Sequence, residues 1–260
     1  AALLETIERD AAAMWWRGGR PARALDLTDP ALAEAAARIA AWREGAEAPR
    51  VAWALRLQAV ADVPVIAVLT TDPQGRDLSV GVAARTSPAE ALRAAAREAV
   101  QGELALDLIA ERRAVHGDGV LGPADRDRLA LAALDPARTP ALMPSAPPGG
   151  PDWRPVHGQV ENLSSAPQPQ GETGRAEGET GRSAGLVGAD SATMLKALVE
   201  TPAIAQHSPA SVNLTRPRFG LPVAFVAAAC LQPFPAAHVA PRLAKAMEAA
   251  GGRGPEAPLF

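Results

Sequence analysis

The chain has 260 residues, a formal net charge of −3 and a single cysteine. Lys and Arg are scattered without a basic run, and aromatic residues make up only 3%, which argues against a nucleic-acid partner. No stretch approaches the roughly 20 apolar residues of a membrane span, and the lone Cys230 leaves no internal disulfide or cysteine-based zinc centre to build.

The opening stretch, AALLETIERDAAAMWW, holds neither Gly nor Pro before Gly18-Gly19 and predicts a helix of about four turns. Leu4, Ile7, Ala11, Met14 and Trp15 fall on one side as a core stripe. Glu5, Glu8 and Arg9 share the neighbouring side, with Glu8 beside Trp15 at the margin of the stripe. Spacing alone fits two readings. Glu5 and Arg9 can form an i,i+4 pair on a solvated face, worth roughly a few tenths of a kcal/mol. Alternatively, carboxylates one turn apart can ligate a hard cation bridging nucleotide phosphates while the adjacent guanidinium holds phosphate oxygens. The start lacks a methionine and a charged-then-apolar leader, so a cytoplasmic, truncated chain is expected.

Asp29-Pro30 opens a second predicted helix, ALAEAAARIAAWRE, packing through Leu32, Ile39 and Trp42 and ending at Gly45. Three extended segments follow at 51–57, 64–69 and 78–84, with turn chemistry in Asp72-Pro73-Gln74-Gly75 between the last two. They predict a mainly antiparallel sheet. Ser87-Pro88-Ala89-Glu90 is a capping box that starts a helix running to about residue 113, with Leu92, Ala95, Ala99 and Leu106 on its core side. Arg97 and Gln101 lie one turn apart on another side, on a line that continues through Leu104 and Leu108; such a pair fits a cleft or open solvent.

The string A-L-L-E-T-I-E-R-D-A followed by M-W-W resembles the E-x-x-E-R-D-A helix of the YcaO-domain family, whose enzymes use ATP to activate a backbone amide oxygen in peptides or proteins. The resemblance implies Glu5 and Glu8 as magnesium-nucleotide ligands and Arg9 as a phosphate contact. SVGVAARTSPAEALRAAAREAVQGELA is similar to the family's glycine-containing strand leading to a helix with R-E-x-x-Q, which implies that Arg97, Glu98 and Gln101 line the same ATP site. Both helices would then lie on one face of the sheet. N-L-T-R-P-R-F-G-L-P-V resembles a late segment that adds a strand to the central sheet, although Asn213 and Arg218 stand where acids are common, so neither is assigned a catalytic role.

Between 135 and 189 the composition turns to Pro, Gly, Ser and Gln, which predicts a flexible, disordered insertion. It divides a core segment at 1–134 from the remaining part of the same domain at 190–250, with a tail at 251–260. Within it, Gly181-Arg182-Ser183-Ala184-Gly185 matches a nucleophile elbow, with Asp190 and His207 following in hydrolase order, but no strand precedes Ser183 to supply the strained turn. A short helix is expected after Asp190 and a last one at 238–250. His116, His157, His207 and His238 stand isolated, and Cys230 sits in an apolar run as a buried thiol.

The expected fold is α/β (α+β), a mainly antiparallel sheet with helices packed on it. With ATP and Mg2+ as cofactors, the resemblance implies O-phosphorylation of an amide in a ribosomally made precursor peptide or protein, giving azolines or thioamides. Implied partners are a leader-peptide-binding or sulfur-transfer protein, and a homodimer is a possible assembly. The competing reading is a non-catalytic peptide-binding or scaffold protein, or an accessory of ribosomal-protein modification.

Overall fold

The computed structural model describes residues 1–43, 49–142, 191–205, 209–216, 218, 223–229, 231–232, 239–251 and 259. Helix α1 (Ala2–Trp16) opens the chain, and the turn after it places Gly19 at φ 64°, where a side chain would be strained. Strand β1 (Arg23–Ala24), helix α2 (Pro30–Arg43) and strands β2 (Val51–Leu57), β3 (Val65–Thr71) and β4 (Ser79–Ala84) follow. Helix α3 (Pro88–His116) and the shorter α4 (Pro123–Ala132) come next, then two single 3-10 turns at Pro136–Arg138 and Pro140–Leu142. The later part holds helices α5 (Ser191–Val199) and α6 (Pro202–Ala205), strands β5 (Ala210–Asn213) and β6 (Ala224–Ala227), and helix α7 (Pro241–Ala249).

The first four strands form one antiparallel sheet in chain order, β1-β2-β3-β4. The connection between β3 and β4 is tied by Asp72, whose Oδ1 accepts from the Gln74 and Arg76 backbone amides, with Gly75 at φ 79°. Every residue of β3 is buried, because helices cover both sides of the sheet. Trp53, Leu55, Leu57, Val65, Ala67, Leu69, Val82 and Ala84 point to one face and pack with α1. Ala54, Ile66, Val68 and Ala83 point to the other, where α2 and α3 lie through Leu32, Ala35, Ile39, Leu92, Ala95 and Ala99. The two helices expected on one face therefore take opposite faces, since the period-2 alternation of β2, β3 and β4 gives each face its own apolar set.

Helix α1 is enclosed well beyond its predicted stripe. Leu3, Ala12 and Trp16 are buried along with Ile7, Ala11, Met14 and Trp15, because the later chain covers the side away from the sheet. Thr6 Oγ1 donates to the Val226 carbonyl of β6 at 3.2 Å. Full burial of Ile7, Met14, Trp15 and Trp16 contributes roughly 1.5–3 kcal/mol each. The indoles of Trp15 and Trp53 donate to the carbonyls of Ala141 and Leu142, at 2.6 and 3.2 Å, and Leu142 is wholly buried. Pro136 and Leu142, read from composition as within the insertion, are thus buried, with Ala141 packed against the core.

Three local expectations differ from the outcome. Trp42 is 47% exposed, and α2 packs instead through Leu32, Ala35 and Ile39. The Ser87 box is half formed: Ser87 Oγ accepts from Glu90 N at 3.2 Å, but the Glu90 carboxylate takes the Thr86 hydroxyl. Strands β5 and β6 pair with each other in a separate two-stranded sheet rather than extending the central one. Residues 143–190, with His157, Ser183 and Asp190, lie outside the described residues, as do His207, Cys230 and His238.

Candidate functional site

Strand β4 is the sheet's edge, so the amides of Val82 and Ala84, which alternate away from β3, have no strand to pair with. Carboxylates take them. Glu8 Oε2, from α1, accepts from Ala84 N at 2.7 Å, and Glu98 Oε2, from α3, accepts from Val82 N at 2.8 Å. Two acids from opposite faces of the sheet thereby meet at one edge.

Close approach of α3 to β4 makes this possible. A Cβ on Gly81 would lie 2.1 Å from the Ala95 carbonyl oxygen and 2.5 Å from Ala99 N, and one on Gly102 would lie 2.2 Å from Ser79 Oγ. With that space empty, Ser79 Oγ donates to the Ala99 carbonyl at 2.7 Å. The glycine read from sequence as part of a strand is what lets the helix bring Glu98 down to the sheet edge.

Burial dominates the electrostatics at this edge. Burial pushes the Glu8 carboxyl up from 4.5 to about 7; the Ala84 amide bond opposes the rise, Glu98 adds to it, and Arg85 and Arg9 oppose it. Burial likewise raises Glu98, against the lowering effects of the Val82 amide, Arg9 and Arg85. Arg85 Nη1 lies 3.8 Å from Glu8 Oε2 and donates to the Ala84 carbonyl at 2.7 Å. The edge therefore carries two desolvated carboxylates flanked by two guanidinium groups.

Other predicted residues stand further out. Glu5 Oε1 accepts from Arg9 at 2.8 Å, the i,i+4 pair foreseen as one of the two readings, and the Glu5 side chain is 60% exposed. Arg97 and Gln101 are exposed on the outer side of α3, one on each flank of Glu98 in sequence. His116 is exposed at the end of α3.

Two residues of this region were not singled out from sequence. Arg85 follows directly on the last residue of β4 and carries no pattern that would mark it. Asp10 is different: it is 1% exposed, its Oδ1 accepts from Gln232 N at 2.9 Å, and its Oδ2 pairs with Arg242 of α7. Its position three residues after Ile7 and four before Met14 puts it beside the apolar stripe, a signal that was available.

Magnesium is compatible with this donor set. Among the described residues no group of three or more His, Cys, Asp or Glu side chains could hold a metal ion. Mg2+ commonly takes one or two carboxylates and completes its shell with waters and substrate phosphate oxygens. Glu8 and Glu98 supply that number, and burial, the main cause of both raised pKa values, leaves carboxylates whose charge a bound cation would compensate. No described helix is long and apolar enough to cross a membrane.

The family model that matches residues 1–231 is described as YcaO cyclodehydratase, ATP- and Mg2+-binding. Among solved structures, the chain is similar to a heterocyclase in complex with substrate and cofactor, with TM-score 0.54 and 21% identity over 86% of this chain and 25% of that one. It is similar also to the heterocyclase TruD, with TM-score 0.51 and 20% identity over 86% of this chain and 26% of that one. The E. coli microcin synthetase McbBCD complex matches at TM-score 0.43 and 12% identity, covering 87% of this chain and 50% of that one. The chain spans about a quarter of the length of the two heterocyclase chains. No curated protein matches it.

Proposed function

We propose, from the premise that this chain belongs to the YcaO family, that its β4 edge holds magnesium–ATP for O-phosphorylation of a peptide backbone amide. The observation that carries the proposal is the meeting of Glu8 and Glu98 on alternate amides of one strand edge, within electrostatic reach of Arg9 and Arg85. Glu8 and Glu98 would hold the ion. Glu5, exposed beside Arg9, would join an outer magnesium shell once its pair with Arg9 is exchanged for phosphate. Arg97 and Gln101 offer further donors on the solvent side of α3.

Bound Mg2+ would supply charge neutralisation for the phosphate oxygens. The side chains of this chain contribute position and electrostatics. Arg9 and Arg85 present guanidinium forks suited to phosphoryl oxygens. Glu8 and Glu98 are oriented in advance by the two β4 amides, so ordering them at the moment of binding costs little. Transfer of the phosphoryl group to the amide oxygen turns that oxygen into a phosphate leaving group once a nucleophile has added to the carbon. A substrate Cys, Ser or Thr would give an azoline, and sulfide a thioamide. The substrate on this reading is a ribosomally made precursor peptide or protein, delivered by a leader-binding partner or served by a sulfur-transfer protein.

Calorimetric titration of Mg–ATP into the protein, with Glu8→Gln as the control, tests the reading. Saturable binding lost in the variant supports it. A wild-type protein that takes up no nucleotide would favour the alternative, a non-catalytic peptide-binding scaffold of the same family.

A further inference from the structure

Asp10 follows Arg9 in the helix proposed to face the nucleotide, yet it points elsewhere. Glu8 and Asp10 are two residues apart, about 200° around α1, so they project from opposite sides. Glu8 reaches the sheet edge; Asp10 reaches the late chain, where it takes the Gln232 amide and the Arg242 guanidinium. The Gln232 side chain, itself buried, turns back to accept from Ala240 N at 2.8 Å, so the residues on either side of α7's start are tied to the same point. Packing below the pair is close: a Cβ on Gly18 would lie 3.1 Å from Ala246 Cβ, and one on Gly19 would lie 2.8 Å from Ala250 Cβ. Arg242 Nε is buried without a hydrogen-bond partner among the described residues, which leaves Asp10 as the group that holds this guanidinium.

We propose that Asp10 and Arg242 are a positioning pair: by fixing α1 to α7 they set the roll of α1 about its own axis and so keep Glu8 on the Ala84 amide. This rests on the reading that Glu8 serves the nucleotide. Side-chain tips lie about 5–6 Å from a helix axis, so a roll of about 10° displaces a carboxylate by about 1 Å. A bond of 2.7 Å does not survive that displacement. The buried carboxylate cannot swing to water to adjust, and the Gly18 and Gly19 contacts leave α7 no room to follow. Asp10 touches neither substrate nor nucleotide on this account; it acts through Glu8.

The test uses the 260-residue protein and the variants Arg242→Met, Arg242→Lys and Asp10→Asn combined with Arg242→Met. The double variant removes both charges together, so no unpaired buried charge is left to unfold the chain. Amide hydrogen exchange is read at Ala84 and referred to Ala67 of β3, which a uniform loss of stability accelerates equally. Mg–ATP affinity is read by calorimetry on the same samples. The double variant is expected to speed Ala84 relative to Ala67 at least tenfold and to weaken Mg–ATP binding at least tenfold, while Arg242→Lys stays within threefold of wild type. An unchanged Ala84 to Ala67 ratio in the double variant overturns the proposal. A changed ratio in a protein whose wild type binds no Mg–ATP supports the mechanical link and rejects the nucleotide reading instead.

Discussion

Replacing Glu8 by Gln should make the folded chain more stable at alkaline pH and useless for Mg–ATP, a combination that an ordinary surface carboxylate would not give. Burial holds the Glu8 carboxyl at about 7, against 4.5 for the free group. Below pH 4.5 the group is protonated in folded and unfolded chains alike. Between 4.5 and about 7 the unfolded chain ionises first, so folded stability falls as pH rises through that window. At about 1.4 kcal/mol per pH unit the loss above the window is about 3 kcal/mol. Gln has no charge to desolvate, and its side-chain oxygen can still accept from Ala84 N. Glu8→Gln should therefore unfold at the same temperature as wild type near pH 4 and roughly 6–12 °C higher near pH 8. Thermal unfolding followed by circular dichroism across that range, beside nucleotide titration at pH 8, checks both halves. A melting difference that does not change with pH, or a variant less stable than wild type at pH 8, would refute the reasoning.

Gly81→Ala should cost about 1–3 kcal/mol, because its Cβ would meet helix backbone that cannot rotate away, and it should weaken Mg–ATP binding by displacing Glu98; urea denaturation and calorimetry read the two effects. Trp15→Phe removes the indole donor to the Ala141 carbonyl and should lower stability by about 1–3 kcal/mol in urea denaturation, leaving the β4 edge intact. Arg97→Ala should change stability by no more than about 0.5 kcal/mol, since the side chain is exposed. The same variant should weaken Mg–ATP binding measurably, and unchanged affinity would remove Arg97 from the site.

Much of the scaffold was legible because period and punctuation agree along the first 116 residues. Alternation at 51–57 and 78–84, the Asp72 to Gly75 turn and the Ser87 start each rest on local chemistry, and each reappears as a strand, a turn or a helix end. What sequence could not supply was the side of the sheet. Helices α1 and α3 both carry an apolar line, and nothing in either says which set of alternate strand residues it will meet. That choice decides the site, because Glu8 and Glu98 meet only at an edge that both faces share. The 3-10 turns before residue 143 were missed for a related reason. Pro136, Ala141 and Leu142 make no periodic pattern, and their order comes from two tryptophan indoles far away in sequence. Asp10 was overlooked because an acid in a charged run invites a solvated reading, although its neighbours on the wheel are core residues.

The Asp10 contacts reach across 222 and 232 positions of the chain. During synthesis at about 5–20 residues per second, α1 must wait for residues made more than 200 positions later before its Asp10 side is covered. Loop closure of that length is slow compared with helix formation. Newly made chains should therefore pass through an interval in which Trp16 and Met14 are open to chaperones, and an arrest before residue 242 should leave the acidic edge assembled but loosely seated.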